Sequence, residues 1–235
     1  MHVSHLQYLP LAPLFFALLV GAFGLLLILV QLGILRYAYT RIGVSSNMAL
    51  LLLFASLFGS YINIPVAQLP GQDIVLGREV SYYGMRYIVP VVADWPGTVI
   101  AVNVGGAVIP TLLSIYLIAK NELWGAGLLA VGCVALICHM LADPVPGVGI
   151  AVPILGPPIA AAIVALIISW RHAAPLAYAG GSLGTLIGAD LLNLSKIQGL
   201  GAPVVSIGGA GTFDGIFLAG VIAVLIASLT GGRGA

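Results

Sequence analysis

Two aspartates in apolar surroundings, Asp190 and Asp214, are the residues of this sequence best suited to chemistry. Asp190 comes at the end of one predicted helix and Asp214 in the first turn of the next, so antiparallel packing would bring both carboxylates to the same depth. Two close carboxylates share a proton, which lets one act as a base toward water while the other polarises a carbonyl. The pair therefore predicts a catalytic aspartyl dyad.

Each of these acids also has a structural explanation. Asp214 would sit among the free N–H groups of a helix N-terminus, where a negative charge is stabilised. Asp190 could pair with Lys196 on the following loop. Because acids buried in a membrane are costly and usually line a functional cavity, we favour the functional reading for this pair.

Composition assigns the chain to the membrane proteins. Of 235 residues, 61% are hydrophobic and 6% are charged, with a mean hydropathy of +1.17. Soluble domains are about a quarter charged, so this chain has too few polar groups to cover a water-facing surface. We expect a single integral membrane domain over residues 1–235, with the lipid bilayer as its partner. The net charge of +1 gives no indication of nucleic-acid binding.

The apolar stretches predict an all-α polytopic membrane protein with about seven transmembrane helices, some of them broken by Gly or Pro. A span needs about 20 apolar residues. The stretches that qualify are 11–35, 47–65, 96–118, 123–142, 148–170, 174–194 and 212–230. The long connection at 66–95 alternates polar and apolar residues around Gly84, which predicts an interfacial β-hairpin.

The distribution of positive charge predicts an orientation. With seven spans, the side of the C-terminus would carry Arg36, Arg41, Lys120, Arg171 and Arg233, and the side of the N-terminus would carry Arg78, Arg86 and Lys196. Cytoplasmic loops are enriched in Lys and Arg. We therefore expect the N-terminus outside and the C-terminus in the cytoplasm.

Further polar residues fall at the same membrane level as the two aspartates, toward the outer face. Asp94, Asp143 and Asn193 at this level, together with Asn103 inside the predicted third helix, predict a polar cavity. Asp94 could instead cap the third helix, and Asp143 could cap a turn opened by Pro144.

Glycines surround these polar positions. Those expected to let the backbone approach another group are Gly105, Gly106, Gly188, Gly209 and Gly211. Close helix packing is the commoner reason for such glycines. The predicted third and fifth helices are broken by Gly or Pro. Broken helices of this kind also occur at the binding sites of transporters.

A metal site is a weaker prediction from the same region. His139 and Asp143 are spaced to share a helix face, and Asp190 could join them around a cation. A histidine near an interface is more often solvated. We therefore predict neither a metal nor a cofactor.

Three segments carry a family resemblance, and we name them motif A, "NVGGAVIP" (103–110), motif B, "GTLIGADLLNL" (184–194), and motif C, "SIGGAGTFDGIFLAG" (206–220). Together they resemble the prokaryotic membrane family of unknown function catalogued as DUF1614. The resemblance implies a multi-pass protein of the prokaryotic cell membrane and brings no established activity.

A second resemblance is to the presenilin and signal-peptide-peptidase class of intramembrane aspartyl proteases. There, one aspartate ends a helix and a second follows a glycine-rich turn, as Asp190 and Asp214 would. The sequence departs from that pattern because Ala189 replaces a tyrosine, "GTFDG" replaces Gly-x-Gly-Asp, and no Pro-Ala-Leu segment follows. The resemblance implies catalytic roles for Asp190 and Asp214.

Three functions are consistent with these features. The first is hydrolysis of a transmembrane peptide by the Asp190/Asp214 dyad. The second is transport of a proton, cation or small solute through the acid-lined cavity, which the broken helices favour. The third is a non-catalytic membrane subunit in which the polar cluster is structural.

Overall fold

The computed structural model describes residues 13–31, 42–82, 85–95, 97–145, 149–197, 203–209 and 215–230. Its α-helices are α1 (Pro13–Gln31), α2 (Ser46–Gly59), α3 (Ile109–Lys120), α4 (Trp124–Leu141), α5 (Gly156–Ile168), α6 (Ala173–Ala179) and α7 (Gly215–Thr230). Its strands are β1 (Asn63–Leu69), β2 (Gln72–Tyr82), β3 (Met85–Trp95), β4 (Thr98–Asn103), β5 (Asp143–Val145), β6 (Gly149–Ala151) and β7 (Val204–Ile207). Other helical turns are the π-helical Val104–Val108, Gly180–Gly184 and Leu186–Asp190 and the 3-10 helix Leu191–Lys196.

A three-stranded sheet brings distant parts of the chain together. β4 lies at its centre, with β1 antiparallel on one side and β7 parallel on the other. The sequence of β4, "TVIAVN", favours a strand because Thr, Val and Ile branch at Cβ and pack well on a pleated surface. Since β4 and β7 run parallel, their carboxyl ends, at Asn103 and Ile207, meet at one edge of the sheet.

A long antiparallel hairpin occupies most of the connection at 66–95. β2 and β3 pair from Gln72 opposite Trp95 to Tyr82 opposite Met85. The hairpin predicted from the alternating pattern is therefore present, and its turn falls outside the described residues. β5 and β6 form a second, much shorter hairpin.

Small side chains form the core between α4, α5, α6 and α7. Its buried members are mostly alanines, namely Ala130, Ala161, Ala162, Ala165, Ala173, Ala177, Ala223 and Ala227. Alanine lets helices approach closely, which is the way helices pack against each other in lipid. Large apolar residues of α4 and α5 lie on the outside instead, with Leu128 72% exposed and Met140 and Ile167 each 78% exposed.

The prediction of an all-α protein with about seven membrane-spanning helices is wrong. Within the described part of the chain, α4 is the one helix long and apolar enough to cross a bilayer, with a hydropathy of 2.0 over 18 residues. The shorter apolar helices found there are Asn47–Gly59, Val104–Lys120, Gly156–Ile168 and Ala219–Ser228, with 10–17 residues. At about 1.5 Å per residue these helices are about 15–26 Å long, against about 27 Å for α4 and a hydrocarbon core about 30 Å thick.

Strands and prolines account for the shortened helices. The predicted third span contains β4 and a π-helical turn before α3, and the predicted fifth span contains β6 before α5. Hydropathy does not separate a strand of Val and Ile from a buried helix. Pro110 and Pro157 lie in the first turns of α3 and α5, the place where a helix accepts proline without losing a hydrogen bond.

The predicted sixth span, 174–194, is helical without being a regular α-helix. α6 passes into two π-helical turns and then into the 3-10 helix. Glycines occur where these turns pass close to other helices, since a Cβ at Gly181 would lie 3.0 Å from Ala219 O and one at Gly188 would collide with the Ala135 backbone. Widened π-helical turns are frequent at functional sites.

Asp94 does not cap a helix, contrary to the structural alternative given above. It lies in β3 opposite Asp73, and the next described element is the strand β4. The β-branched residues after Pro96 favour this strand over the predicted helix start.

Candidate functional site

Motifs A, B and C converge on one buried cluster. Ala107 comes from motif A, Leu186 from motif B, and Ile207 and Ile216 from motif C. The parallel pairing of β4 with β7 produces this convergence, because motif A begins where β4 ends and motif C begins within β7. Three separate segments of the sequence therefore build one site.

The Asp190 carboxylate lies against motif C. Asp190 ends the π-helical turn Leu186–Asp190, and its Oδ2 accepts a hydrogen bond from the backbone N–H of Gly208 at an N···O distance of 2.7 Å. The residue is half-buried. Since the donor is a neutral amide, the bond orients the carboxylate without removing its negative charge. It also occupies only one of the two carboxylate oxygens.

Gly208 can donate this bond because it has no side chain. Its φ is +90°, in the region that favours glycine. A Cβ there would lie 2.6 Å from Ala107 N. Gly209 also has a positive φ, +101°, and its N–H donates to Ser206 O over 3.2 Å. The pair makes a tight turn after β7 that directs the Gly208 N–H toward Asp190.

Asn103 organises the start of motif A. Its Nδ2 donates to Ser60 O at 2.8 Å and to Asn63 Oδ1 at 3.1 Å, and its Oδ1 accepts from Gly106 N at 2.8 Å. The side chain is 1% exposed. Asn103 thus caps the π-helical turn Val104–Val108 and ties it to the end of α2.

The network extends across the sheet to β7. Ser206 Oγ donates to Asn63 Oδ1 at 2.5 Å, so that oxygen receives bonds from two directions. Asn63, Asn103 and Ser206 lie on β1, β4 and β7 respectively. The bonds therefore fix the strand edge from which the Gly208 turn leaves.

We expect Asn103→Ala to lower the free energy of unfolding by about 2–6 kcal/mol. The change leaves Ser60 O and Gly106 N–H buried without their partner, and each unsatisfied group costs about 1–3 kcal/mol. Thermal unfolding in detergent measures the effect. The matched control is Asn121→Ala, because Asn121 makes one partly buried bond to Leu117 O and its loss should cost about 1 kcal/mol. Equal effects of the two changes would contradict the assigned network.

Asn193 lies in the interior, close in sequence to Asp190. It is 0% exposed, and its Nδ2 donates to Gly188 O at 2.9 Å and to Ala189 O at 3.0 Å. Its Oδ1 is buried and has no hydrogen-bond partner among the described residues. Such an orphaned acceptor is rare in a protein interior, so this position can take a further hydrogen-bond donor.

The remaining predicted residues are distributed differently. Asp143 is exposed in β5, and Asp94 lies in β3. Gly105 lies buried in the π-helical turn of motif A, against the backbone of α2. Asp214 and Gly211 lie outside the described residues. The structure thus brings Asp190 to the Gly208 turn, while Asp143 faces the surroundings.

The described residues contain no candidate metal-binding cluster. No group of three or more His, Cys, Asp or Glu residues is close enough there to hold an ion. His139 lies on α4 and keeps a buried Nδ1 without a hydrogen-bond partner among those residues.

Gly208, Ser206 and Ser60 are site residues that sequence reasoning missed. Ser60 and Gly208 act through main-chain atoms, the carbonyl of one and the N–H of the other, and residue type carries little information about such contacts. The signal for Gly208 was the "GG" after an apolar strand, which is typical of a turn with positive φ.

Comparison with known proteins identifies a family. The family model described as a protein of unknown function (DUF1614) matches residues 57–226. No curated protein and no solved structure matches the chain significantly, so the resemblance to intramembrane aspartyl proteases gains no support from them. Motifs A, B and C all lie within the matched region, and the chain belongs to the DUF1614 family.

Proposed function

We propose that the protein is a membrane-embedded aspartyl hydrolase in which Asp190 and Asp214 cleave a transmembrane peptide. The observation that carries the proposal is the 2.7 Å hydrogen bond from Gly208 N to Asp190 Oδ2. It joins the acid of motif B to the segment of motif C that continues to Asp214. A dyad requires the Asp214 carboxylate to lie close to Asp190, because reacting groups must come within hydrogen-bond reach of each other or of one shared water.

Packing of residues that are near the two acids in sequence supports the same proposal. Leu186, one turn before Asp190, and Ile216, just after Asp214, belong to one buried cluster. Ala107 and Ile207 complete that cluster and provide an apolar wall. A low-dielectric wall strengthens the coupling between two carboxylates and favours a state that holds one proton between them.

The chemistry requires two carboxyl groups in opposite protonation states. The ionised carboxylate takes a proton from water as the water oxygen bonds to the peptide carbonyl carbon. The protonated carboxyl group donates its proton to the carbonyl oxygen, giving a tetrahedral intermediate. The C–N bond then breaks as the carboxyl group that took the proton from water donates it to the amide nitrogen. The other carboxylate takes a proton from one hydroxyl of the intermediate, and the carbonyl re-forms. The Gly208 N–H would hold Asp190 in a fixed orientation through these steps.

A membrane location for this reaction is supported by α4. A core helix of a soluble protein is mostly buried, whereas 33% of the Trp124–Leu141 window is buried. The exposed residues of α4 include Leu128, Leu136 and Met140, which suit contact with lipid tails. We place the protein in the cell membrane of a prokaryote. The predicted orientation assumed an odd number of spans and stays a prediction.

Cleavage of a reporter transmembrane peptide in proteoliposomes tests the proposal. We expect Asp190→Asn and Asp214→Asn each to reduce the cleavage rate by at least about 100-fold, since acid–base groups contribute about 10²–10⁴-fold. Glu122→Gln is the matched control, because Glu122 is exposed at the turn between α3 and α4. Undiminished cleavage in either aspartate variant would rule out the dyad.

Transport of a proton, cation or small solute is the second candidate. The Oδ1 of Asn193 favours it, because this buried acceptor has no partner among the described residues and can bind a cation or a hydrogen-bond donor. Flux assays in the same proteoliposomes test this candidate, with Asn193→Leu expected to reduce flux and Glu122→Gln to leave it unchanged. If neither cleavage nor flux is found, the polar network has a structural role in a non-catalytic subunit.

A further inference from the structure

An open apolar groove separates α2 from α3, away from the Asp190 site. Its volume is about 510 Å³, and Met48, Leu52 and Ala55 of α2 line it together with Ile109, Leu112 and Tyr116 of α3. The volume falls within the roughly 300–1,000 Å³ of small-molecule sites. Leu112 is 62% exposed, so the groove opens to the surroundings of the protein.

One end of the groove carries a positive charge. Lys120 Nζ donates to Gly43 O at 2.6 Å and lies 5.6 Å from the centroid of the Tyr116 ring. Gly43 and Tyr116 both line the groove. The bond to Gly43 uses one of the three ammonium hydrogens, and no other acceptor among the described residues bonds Lys120, so the remaining hydrogens can meet an anion.

Polar groups at this end already have partners within the protein. Gly43 O accepts from Lys120, and Ser45 Oγ accepts from Met48 N. A bound peptide backbone would need partners for its own N–H and C=O groups, and the groove offers it few. An occupant with a long apolar part and one anionic end matches both the lining and the charge.

We propose that the groove binds an acyl chain of an anionic phospholipid, with the lipid phosphate paired to Lys120. The acyl chain contacts Leu52, Ala55 and Leu112 in place of solvent or bulk lipid. The phosphate meets the ammonium at the Gly43 end. The choice of a lipid rests on the membrane location proposed above, and it is independent of any reaction at Asp190.

Lipid binding to the purified protein in uncharged detergent tests whether the charge of Lys120 contributes to binding. We expect phosphatidylglycerol to bind more tightly than phosphatidylcholine with the same acyl chains, as measured by native mass spectrometry and by the shift in unfolding temperature. Lys120→Gln should weaken phosphatidylglycerol binding about fivefold, the effect of one basic residue facing an anionic lipid. Lys196→Gln, which removes an exposed positive charge elsewhere, should leave binding unchanged. Equal binding to the wild type and to Lys120→Gln would overturn the proposal.

A second variant tests the apolar part. Ala55→Phe fills the groove and should weaken both lipids, whereas Ala119→Phe, on an exposed position of α3 outside the groove, should weaken neither. Glycerol phosphate at equal concentration should not bind, and binding as tight as that of the lipid would assign the site to free phosphate. A dimer that covers the groove and excludes lipid would also overturn the proposal. Because Asp190→Asn should bind lipid normally, failure of the hydrolase proposal is distinguishable from failure of this one.

Discussion

Replacing Gly105 by alanine is expected to destabilise the protein by more than about 4 kcal/mol, at the upper end of single substitutions. A Cβ at this position would lie 2.6 Å from Ser60 Oγ, and it would come closer still to Ser56 O and Ser60 N. The last two atoms belong to the backbone at the end of α2, so no side-chain rotation relieves the collision. Either α2 or the π-helical turn of motif A must move.

Two glycines of α4 provide the control for this result. A Cβ at Gly125 or Gly132 would meet nothing within 4 Å. Alanine there should be neutral or stabilising by up to about 1 kcal/mol, the helix-propensity difference between the two residues. The measurement is the thermal unfolding midpoint of detergent-solubilised protein, together with the yield of folded protein. A Gly105→Ala variant that unfolds at the wild-type midpoint would show that the close approach does not exist.

The effect of Gly105 extends from packing to the site. A Cβ at Gly59 would lie 2.9 Å from Gly105 N, so α2 and motif A meet backbone against backbone. This contact brings Ser60 O within 2.8 Å of Asn103 Nδ2. Asn103 in turn donates to Asn63 Oδ1, which also accepts a hydrogen bond from Ser206 Oγ of β7. Close packing of two glycines therefore sets the position of the strand edge that carries the Gly208 turn.

Hydropathy predicted the positions of helices better than it predicted their lengths. The predicted fourth span at 123–142 coincides with α4, because that segment contains no proline and no run of β-branched residues. Elsewhere the apolar stretches supplied strands as well as helices. A strand buried in a sheet and a short buried helix can be equally hydropathic, so length and proline position had to decide, and α3 and α5 have prolines in their first turns.

The candidate site was predictable where a side chain is unusual for its surroundings. Asp190 and Asn103 stand out as polar residues in apolar sequence, and both make buried or half-buried bonds. Their partners were not predictable by the same argument. Gly208 contributes a main-chain N–H, and Ser206 reaches Asn63 across 143 residues through strand pairings that no local pattern encodes.

Asparagine and alanine at position 190 are expected to separate the charge of Asp190 from its hydrogen bond. In Asp190→Asn, the side-chain oxygen can still accept from Gly208 N, so the free energy of unfolding should change by less than about 1 kcal/mol. In Asp190→Ala that N–H loses its acceptor, and the loss should cost about 1–3 kcal/mol. Both variants lack an ionisable group, so both should lose peptide cleavage by about 10²–10⁴-fold.

The pattern across the two assays decides the role of Asp190. If the Asp190→Asn variant is as stable as the wild type but inactive, the negative charge is needed for the reaction and the side-chain oxygen is needed for the fold. If Asp190→Asn is destabilised as much as Asp190→Ala, the carboxylate charge itself stabilises the fold. The proposed dyad then loses its main support. Asp143→Asn is the matched control, because Asp143 is exposed in β5 and should affect neither stability nor cleavage. Thermal unfolding and reporter cleavage must be measured on the same preparations, because a loss of folded protein alone would lower the cleavage rate without any change at the site.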